Sequence, residues 1–391
     1  MNSYQRSLES LLNSGPPISL GLERMQGMLQ QLGYPERQFP IFHVAGTNGK
    51  GSTCVFIESI LRTAGFSVGQ YTSPHLTCAR ERIQINRELI SEDDFALLEA
   101  LVPQKGTFFE RMTAMAFLHF ANAKVDFAVI EVGLGGRLDA TNTVRPLVCG
   151  ISKIDLDHQQ ILGESVQQIA YEKAGIMKPC VPVIWSEQAA EVTEILNARA
   201  NEIGALVKNR APVSPGDLGL KGEHQMANAS LAVAMIKAAG LTLEEPVIRQ
   251  GLTSARWPCR YEVLPNGLIL DGAHNPSGTR ALIATLQADG VAPEFLSVGL
   301  TEGHNGEEIA SLWHHAFPLA KIFAGQSTSL RAVPAQQVAS CFEQAGFANV
   351  QVSDQFEYEK GHGVVTGSLY WTGLVRSKML SMPIDNISMM Y

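Results

Sequence analysis

Residues 43–52 read His-Val-Ala-Gly-Thr-Asn-Gly-Lys-Gly-Ser, a glycine-rich run with one lysine, Lys50. It follows the apolar stretch Phe39–Ala45 and precedes a helix-like stretch from Ser52 to Ala64. Strand, glycine loop and helix in that order form the layout that cradles nucleotide phosphates. Loop N–H groups and the helix start face the phosphate oxygens, and the lysine adds a full positive charge. The common phosphate-loop pattern sets four residues between a first glycine and Gly-Lys-[Ser/Thr]. Here that first position is Val44, and Gly51 separates Lys50 from Ser52, so the loop is of a different kind. A glycine turn without a ligand is the competing reading, and the flanking strand and helix argue against it.

Other runs carry candidate chemistry. Glu131 closes the apolar strand Phe127–Val132 and leads into Gly133-Leu-Gly-Gly-Arg-Leu-Asp-Ala-Thr-Asn142. A carboxylate at such a strand end could reach a Mg²⁺ ion held by phosphates, because hard cations take carboxylate, phosphate and water oxygens. The bland alternative pairs Glu131 with Arg137. The run Asp155-Leu-Asp-His158 follows another strand, and a lone histidine such as His158 is more often structural than a ligand. In Glu172-Lys173-Ala-Gly-Ile-Met-Lys178, the ordinary reading of Lys173 is a surface lysine. Tyr71-Thr-Ser-Pro-His-Leu76 and Asp271-Gly-Ala-His-Asn-Pro276 mix small and polar residues as binding loops do.

These runs need elements to position them. Strands are expected at 40–45, 66–71, 126–132, 147–152 and 181–185, with helices at 52–64, 92–102, 109–123, 163–174 and 187–203. The alternation predicts an α/β fold with a mostly parallel sheet and helices on both faces. Ligands of such sheets bind at the carboxyl ends of the strands. Two prolines and an Asn-Gly turn break the pattern across 253–267, after which strands at 268–271, 294–299, 320–324, 349–352 and 363–366 alternate with helices at 277–288, 306–316 and 334–345. An ATP-binding domain over 1–257 and a smaller Rossmann-like α/β domain over 258–391 are expected, with a cleft between them for a ligand.

The chain has 391 residues, enough for two domains, and is 45% hydrophobic and 17% charged. Its net charge of -8 argues against a nucleic-acid partner. Six scattered cysteines without a Cys-x-x-Cys pair suggest reduced thiols in a cytoplasm. The first residues lack a basic-then-apolar signal pattern. No apolar run approaches the roughly 20 residues that span a bilayer, so no membrane partner is expected.

Together these runs resemble the folylpolyglutamate synthase and dihydrofolate synthase family, relatives of the Mur ligases. The resemblance covers Ile18–Arg24, His43–Ser52, Tyr71–Leu76, Glu81–Asn86, Phe109–Ala114, Glu131–Asn142, Asp157-His158 with Leu162-Gly163, Glu172–Lys178, Arg256–Glu262, Asp271–Pro276 and Gly367–Tyr370. The offset loop Gly46-Thr-Asn-Gly-Lys-Gly-Ser52 belongs to this family too. The resemblance implies an ATP- and Mg²⁺-dependent ligase that forms a carbon–nitrogen bond between L-glutamate and a pterin-type carboxylate, dihydropteroate or a folate, through an acyl phosphate. It assigns ATP binding to Gly49, Lys50, Gly51, Ser52, Asn228, Arg260 and Asp271, the last three from the linker and second domain. One or two Mg²⁺ ions fall to Ser73, Glu131 and His158. Lys173 is the position of a carbamylated lysine, Lys50 and His274 are further catalytic candidates, and the pteroate contacts fall on Ile18, Ser19, Thr107, Phe109, Leu138, Asp139 and Ala140. A monomer that closes its second domain over the first is expected.

The chain also departs from the pattern. Cys259 stands where the linker's Trp-Pro-Gly-Arg has glycine, a costly change if that residue needs φ > 0. Ser19 replaces an acid found in some members. Thr301-Glu-Gly-His-Asn-Gly306 replaces an Asp-Lys-Asp run, and a helix is expected to be missing between Asp354 and Gly367, shortening the second domain by roughly 15–25 residues. Three competing hypotheses are a Mur-like ligase with another acceptor, a non-catalytic relative that binds nucleotide to regulate a partner, and a phosphate-loop ATPase or kinase, which leaves the Glu131–Asn142 run unexplained.

Overall fold

A computed structural model of the chain describes residues 2–13, 21–210, 213, 216, 218–353 and 362–385. The chain divides into two compact units. The first comprises Met1–Pro74, Ala79–Gly219 and Gln225–Ala255, and the second His75–Cys78, Leu220–His224 and Arg256–Tyr391.

The first unit's strands are β1 (Ile41–Ala45), β2 (Val68–Tyr71), β3 (Ile83–Ile85), β4 (Glu88–Leu89), β5 (Phe127–Glu131), β6 (Val148–Ile151), β7 (Pro182–Trp185) and β8 (Leu206–Val207). They form one sheet in the order β4-β3-β2-β5-β1-β6-β7-β8, parallel except where β3 pairs antiparallel with β2 and β4. All five residues of β1 and all five of β5 are buried, as expected of central parallel strands covered on both faces. The chain leaves β1 toward β5 and β2 on one side and toward β6 on the other. The order therefore reverses at β1, and the loops leaving β1, β2, β5 and β6 converge at the carboxyl ends.

Helices close both faces. Helix Lys50–Thr63 packs against helix Glu245–Ser254, where Ser59 Oγ donates to the Gly251 carbonyl at 2.7 Å. On the other face Ala45, Cys149 and Val183 of the sheet meet Ile169 and Leu196 of the helices Val166–Ala174 and Ala190–Ile203. The helix expected at 163–174 is Val166–Ala174, and a short helix, Gln159–Leu162, precedes it and stops at Gly163, φ 112°. That glycine ends one helix, and Ser165 caps the next by accepting from Gln168 N.

The second unit holds β9 (Glu262–Val263), β10 (Ile269–Leu270), β11 (Phe295–Val298), β12 (Lys321–Ala324), β13 (Val350–Val352) and β14 (Gly363–Thr366), ordered β13-β12-β11-β14-β10-β9. All pairs are parallel but β9–β10. Its core gathers Val298, Trp313, Ile322, Val338 and Phe342 between sheet and helices. Residues 354–361, where a helix is expected to be missing, lie outside the described residues.

Cys259 does stand at positive φ, 56°. A side chain there costs about 1–2 kcal/mol of backbone strain. Burial of the thiol among Leu264, Leu268 and Leu270 offsets part of that cost. The Cys259 carbonyl also accepts from Gly272 N at 2.8 Å, tying the turn to the end of β10.

Candidate functional site

The loop after β1 is built by its neighbours. The N–H groups of Thr47 and Asn48 donate to the Lys153 carbonyl at 2.8 and 3.1 Å, and Thr47 Oγ1 exchanges bonds with Asp155 at 3.0 and 3.1 Å. The loop is thereby stitched to the segment leaving β6. Gly49 opens the helix at φ 89°, and a Cβ there would collide with the Asn228 side chain, so only glycine fits. No side chain caps this helix start, which leaves its first N–H groups available to an anion. Lys50 and Gly51 form the first turn, and Ser52 is buried behind them.

Two lysines meet at this loop. Lys50 Nζ donates to the carbonyls of Gly46 and Thr47 at 3.1 and 3.2 Å, and Lys173 Nζ donates to the Gly46 carbonyl at 2.8 Å. Lys173 is buried, not the surface lysine of the ordinary reading. Its pKa falls from 10.5 to about 7, chiefly because burial disfavours the ammonium and then because Lys50 repels it, while Asp157 and Asp139 pull the other way. A substantial neutral fraction therefore exists near pH 7, and a neutral amine is a nucleophile.

Glu131 ends β5 with 4% exposure, and its Oε2 accepts from Ser73 N at 3.2 Å, joining the ends of β5 and β2. The alternative pairing of Glu131 with Arg137 is not formed. Arg137 instead binds Glu172 Oε1 through Nε and Nη2 at 3.1 and 2.8 Å, because the Arg137 N–H already donates to the Glu172 carbonyl. His158 adopts φ 51° ahead of the helix Gln159–Leu162, with its N–H on Asp157 Oδ1 at 2.9 Å and its Nε2 4.0 Å from the same oxygen. Among the described residues no three His, Cys, Asp or Glu side chains gather to hold a metal by themselves. The Ser73 hydroxyl and the Glu131 carboxylate are oxygen donors that suit a Mg²⁺ ion whose remaining ligands are phosphates and waters, whereas the His158 imidazole is not a usual ligand of that ion.

Of the candidate acceptor residues, Leu138, Asp139 and Ala140 belong to the segment after β5, and Phe109 packs on Gly133 of that segment. Thr107 is the N-cap of the helix Phe108–Ala123 in a reciprocal pair with Glu110, so its hydroxyl is committed to the helix start. The Phe109 ring lies over Gly133 so closely that a Cβ there would sit 2.5 Å from the ring, and 5.8 Å from the Tyr71 ring. Asp139 is buried. Its Oδ2 accepts from Leu134 N at 2.8 Å, and its Oδ1 accepts from Thr141 N and Oγ1 at 3.0 and 2.5 Å. Burial pushes its carboxyl pKa up, and these donors hold it down. Asp139 is thus the brace of the loop, with the half-exposed Leu138 and the buried Ala140 beside it. Ile18 and Ser19 lie outside the described residues.

Asn228 belongs to the first unit, on the helix His224–Ala238, rather than to the linker or second domain. Its Nδ2 donates to Gln225 Oε1 at 3.0 Å, which points the amide at Gly49. In the second unit Asp271 follows β10 and accepts from Tyr261 N and Ala273 N at 2.8 Å each. Burial raises its pKa, and the Arg260 guanidinium lowers it. His274 Nδ1 lies 2.8 Å from the Gly272 carbonyl, with its ring 4.9 Å from that of His304.

Sequence reasoning missed His43, Thr47 and Thr141. A signal was present for the first: His43 is the one polar residue of a strand buried on both faces, and buried polar residues are the informative exceptions.

Residues 44–211 match the Mur ligase middle domain family. The dihydrofolate synthase/folylpolyglutamate synthase of Bacillus subtilis is 37% identical over 312 residues, 69% of this chain and 73% of the relative. The structure of Escherichia coli FolC in complex with DHPP and ADP is 30% identical with a TM-score of 0.85, over 97% of both chains. A bifunctional folylpolyglutamate synthase/dihydrofolate synthase from Yersinia pestis, complexed with AMPPNP and a Mn ion, is 28% identical with a TM-score of 0.84, over 97% of this chain and 98% of that one. A glycine-rich loop at the switch point of a mostly parallel sheet and these likenesses agree: the chain belongs to the folylpolyglutamate synthase and dihydrofolate synthase family of acid–amino-acid ligases.

Proposed function

We propose that the chain joins L-glutamate to dihydropteroate, to a tetrahydrofolate, or to both, at the expense of ATP and with Mg²⁺, as a cytoplasmic monomer. The observation that carries this reading is the open helix start at Gly49–Ser52 with Lys50 beside it and Glu131 at the adjoining strand ends. A carboxylate does not exchange oxide for an amine directly. The acceptor carboxylate attacks the γ-phosphorus of ATP, the bond to ADP breaks, and an acyl phosphate forms. The amine of L-glutamate then attacks the acyl carbon, loses a proton, and phosphate departs.

The protein's part is positioning and electrostatics. Lys50 and the first N–H groups of its helix hold the transferring phosphoryl group, and Asn228 lines the loop at Gly49. Ser73, Glu131 and His158 would hold Mg²⁺, which when bound neutralises phosphate charge. Phe109 and the Gly133–Ala140 loop receive the pterin-type acceptor. Arg260, Asp271 and His274 are assigned to nucleotide and L-glutamate. The solved relatives support these ligand classes by what they hold: DHPP and ADP in one, AMPPNP and Mn in the other. The six free cysteines accord with a reducing compartment, and no described helix is long and apolar enough to cross a membrane.

The test is direct. The purified protein receives ATP, Mg²⁺ and L-glutamate with dihydropteroate or tetrahydrofolate in turn, and phosphate release and product mass are followed. Glutamate-dependent phosphate release with a product one glutamyl unit heavier is expected. No glutamate-dependent turnover with either acceptor would leave the other-acceptor or regulatory alternatives.

Lys173 is the carbamylation site in this reading. Its neutral amine adds to CO₂, forming an N–C bond and releasing a proton, and the product is an anion where a cation stood. Because the pKa is about 7, carbamate should grow as pH rises through that value. With ¹³C-labelled bicarbonate, a carbamate resonance is expected in the wild type and not in Lys173→Ala. Identical spectra for the two proteins would remove Lys173 from this role.

A further inference from the structure

His43 lies wholly inside the first unit, three residues before Gly46 at the start of the phosphate loop. Its Nε2 is 2.9 Å from Thr141 Oγ1, while its Nδ1 is buried with no partner among the described residues. An unpaired buried acceptor is costly. The hydrogen-bond pattern explains the arrangement. Thr141 has one hydroxyl hydrogen, and Asp139 Oδ1, which also accepts from Thr141 N, lies 2.5 Å from that hydroxyl. The hydroxyl therefore donates to the carboxylate and accepts from His43. The imidazole carries its proton on Nε2, which leaves Nδ1 bare in the row between Ile130 and Cys149. From Asp139 the relay passes through Oδ2 to Leu134 N.

We infer that His43 is a positioning residue, holding the Gly133–Asn142 loop in register with the phosphate loop through Thr141 and Asp139. The inference rests on the reading above that this loop receives the acceptor. β1 runs directly into the phosphate loop, so a rigid tie from β1 to the acceptor loop sets the distance between the two ends of the reaction, where misplacement is expensive. Proton transfer is not its role. Burial, then the charge of Lys178, lowers the imidazole pKa to about 3, so the ring stays neutral throughout the working range.

Three substitutions separate positioning from packing. A glutamine amide reaches where Nε2 lies, an asparagine amide reaches only Nδ1, and leucine offers no donor. His43→Leu and His43→Asn should raise the KM for the acceptor by about tenfold, the worth of one buried hydrogen bond, with the KM for ATP within about twofold. The amides of Leu134 and Thr141 should exchange with solvent about tenfold faster in both. His43→Gln should lie near wild type in both readouts and keep the wild-type pH profile. Thr141→Val, which breaks the relay at its middle, should reproduce the acceptor effect, and the double variant His43→Leu/Thr141→Val should be no worse than the single ones. Glutamine as poor as leucine, an equal rise in the KM for ATP, or unchanged protection of Leu134 and Thr141 in both His43→Leu and Thr141→Val overturns the inference. A wild type that turns over neither acceptor overturns the ligase reading instead. Hydrogen exchange then decides on its own whether His43 holds the loop.

Discussion

Lys50→Ala should lose turnover by at least about 10²–10³-fold in kcat, the usual effect of deleting one preorganised group that faces developing charge. Among the described residues Lys50 donates only to the Gly46 and Thr47 carbonyls, so the fold should persist, with an unchanged circular dichroism spectrum and a denaturation midpoint close to wild type. The two lysines are also coupled. Lys50 is the second-largest cause of the depressed Lys173 pKa, so its removal should raise that pKa and reduce the neutral fraction near pH 7. Carbamate formation should therefore shift to higher pH in the variant. Near-normal kcat in Lys50→Ala would show that the loop does not serve phosphoryl transfer.

Glu131→Gln should have the next largest effect. The amide keeps the size of the side chain and can still accept from Ser73 N–H, so the ends of β2 and β5 should stay joined. What disappears is the negative charge at the carboxyl end of a central strand. A hard cation loses its only protein carboxylate in the proposed set, and the Mg²⁺ concentration for half-maximal turnover should rise by tenfold or more, on the order of what metal-site changes cost. Mn²⁺ binding followed by electron paramagnetic resonance reads the same loss without turnover. Coincident Mg²⁺ titrations and Mn²⁺ isotherms for variant and wild type would take Glu131 out of the metal site.

The contrast among the candidate residues shows why some roles were legible in the chain and others were not. Gly46–Ser52 was readable because its chemistry is local: a glycine at φ 89° and a lysine one residue on are neighbours in sequence and act as neighbours in space. The β/α alternation was readable for the same reason, since buried parallel strands and amphipathic helices write their periods into contiguous residues. The short helix Gln159–Leu162 and the later start of the next helix, at Val166 rather than 163, were missed because local pattern blurs at helix ends. The antiparallel pair β3–β4 and the helix Ser3–Leu12 were missed as well. The strands are short, and the buried face of that helix takes meaning only from the helix Glu92–Leu101 it packs on.

By itself, the sequence determined the fold class and the family, because each rests on residue types at fixed spacing along the chain. Tertiary structure alone decided the electrostatics. Lys173 lies 127 residues from Gly46 along the chain, and its depressed pKa exists only because folding buries it beside Lys50. Arg137 turned to Glu172, 35 residues away, and left Glu131 to Ser73. His43 found Thr141 across 98 residues. Burial and the meeting of distant groups set these pKa values and partnerships, and no period in a sequence records which strand ends will converge.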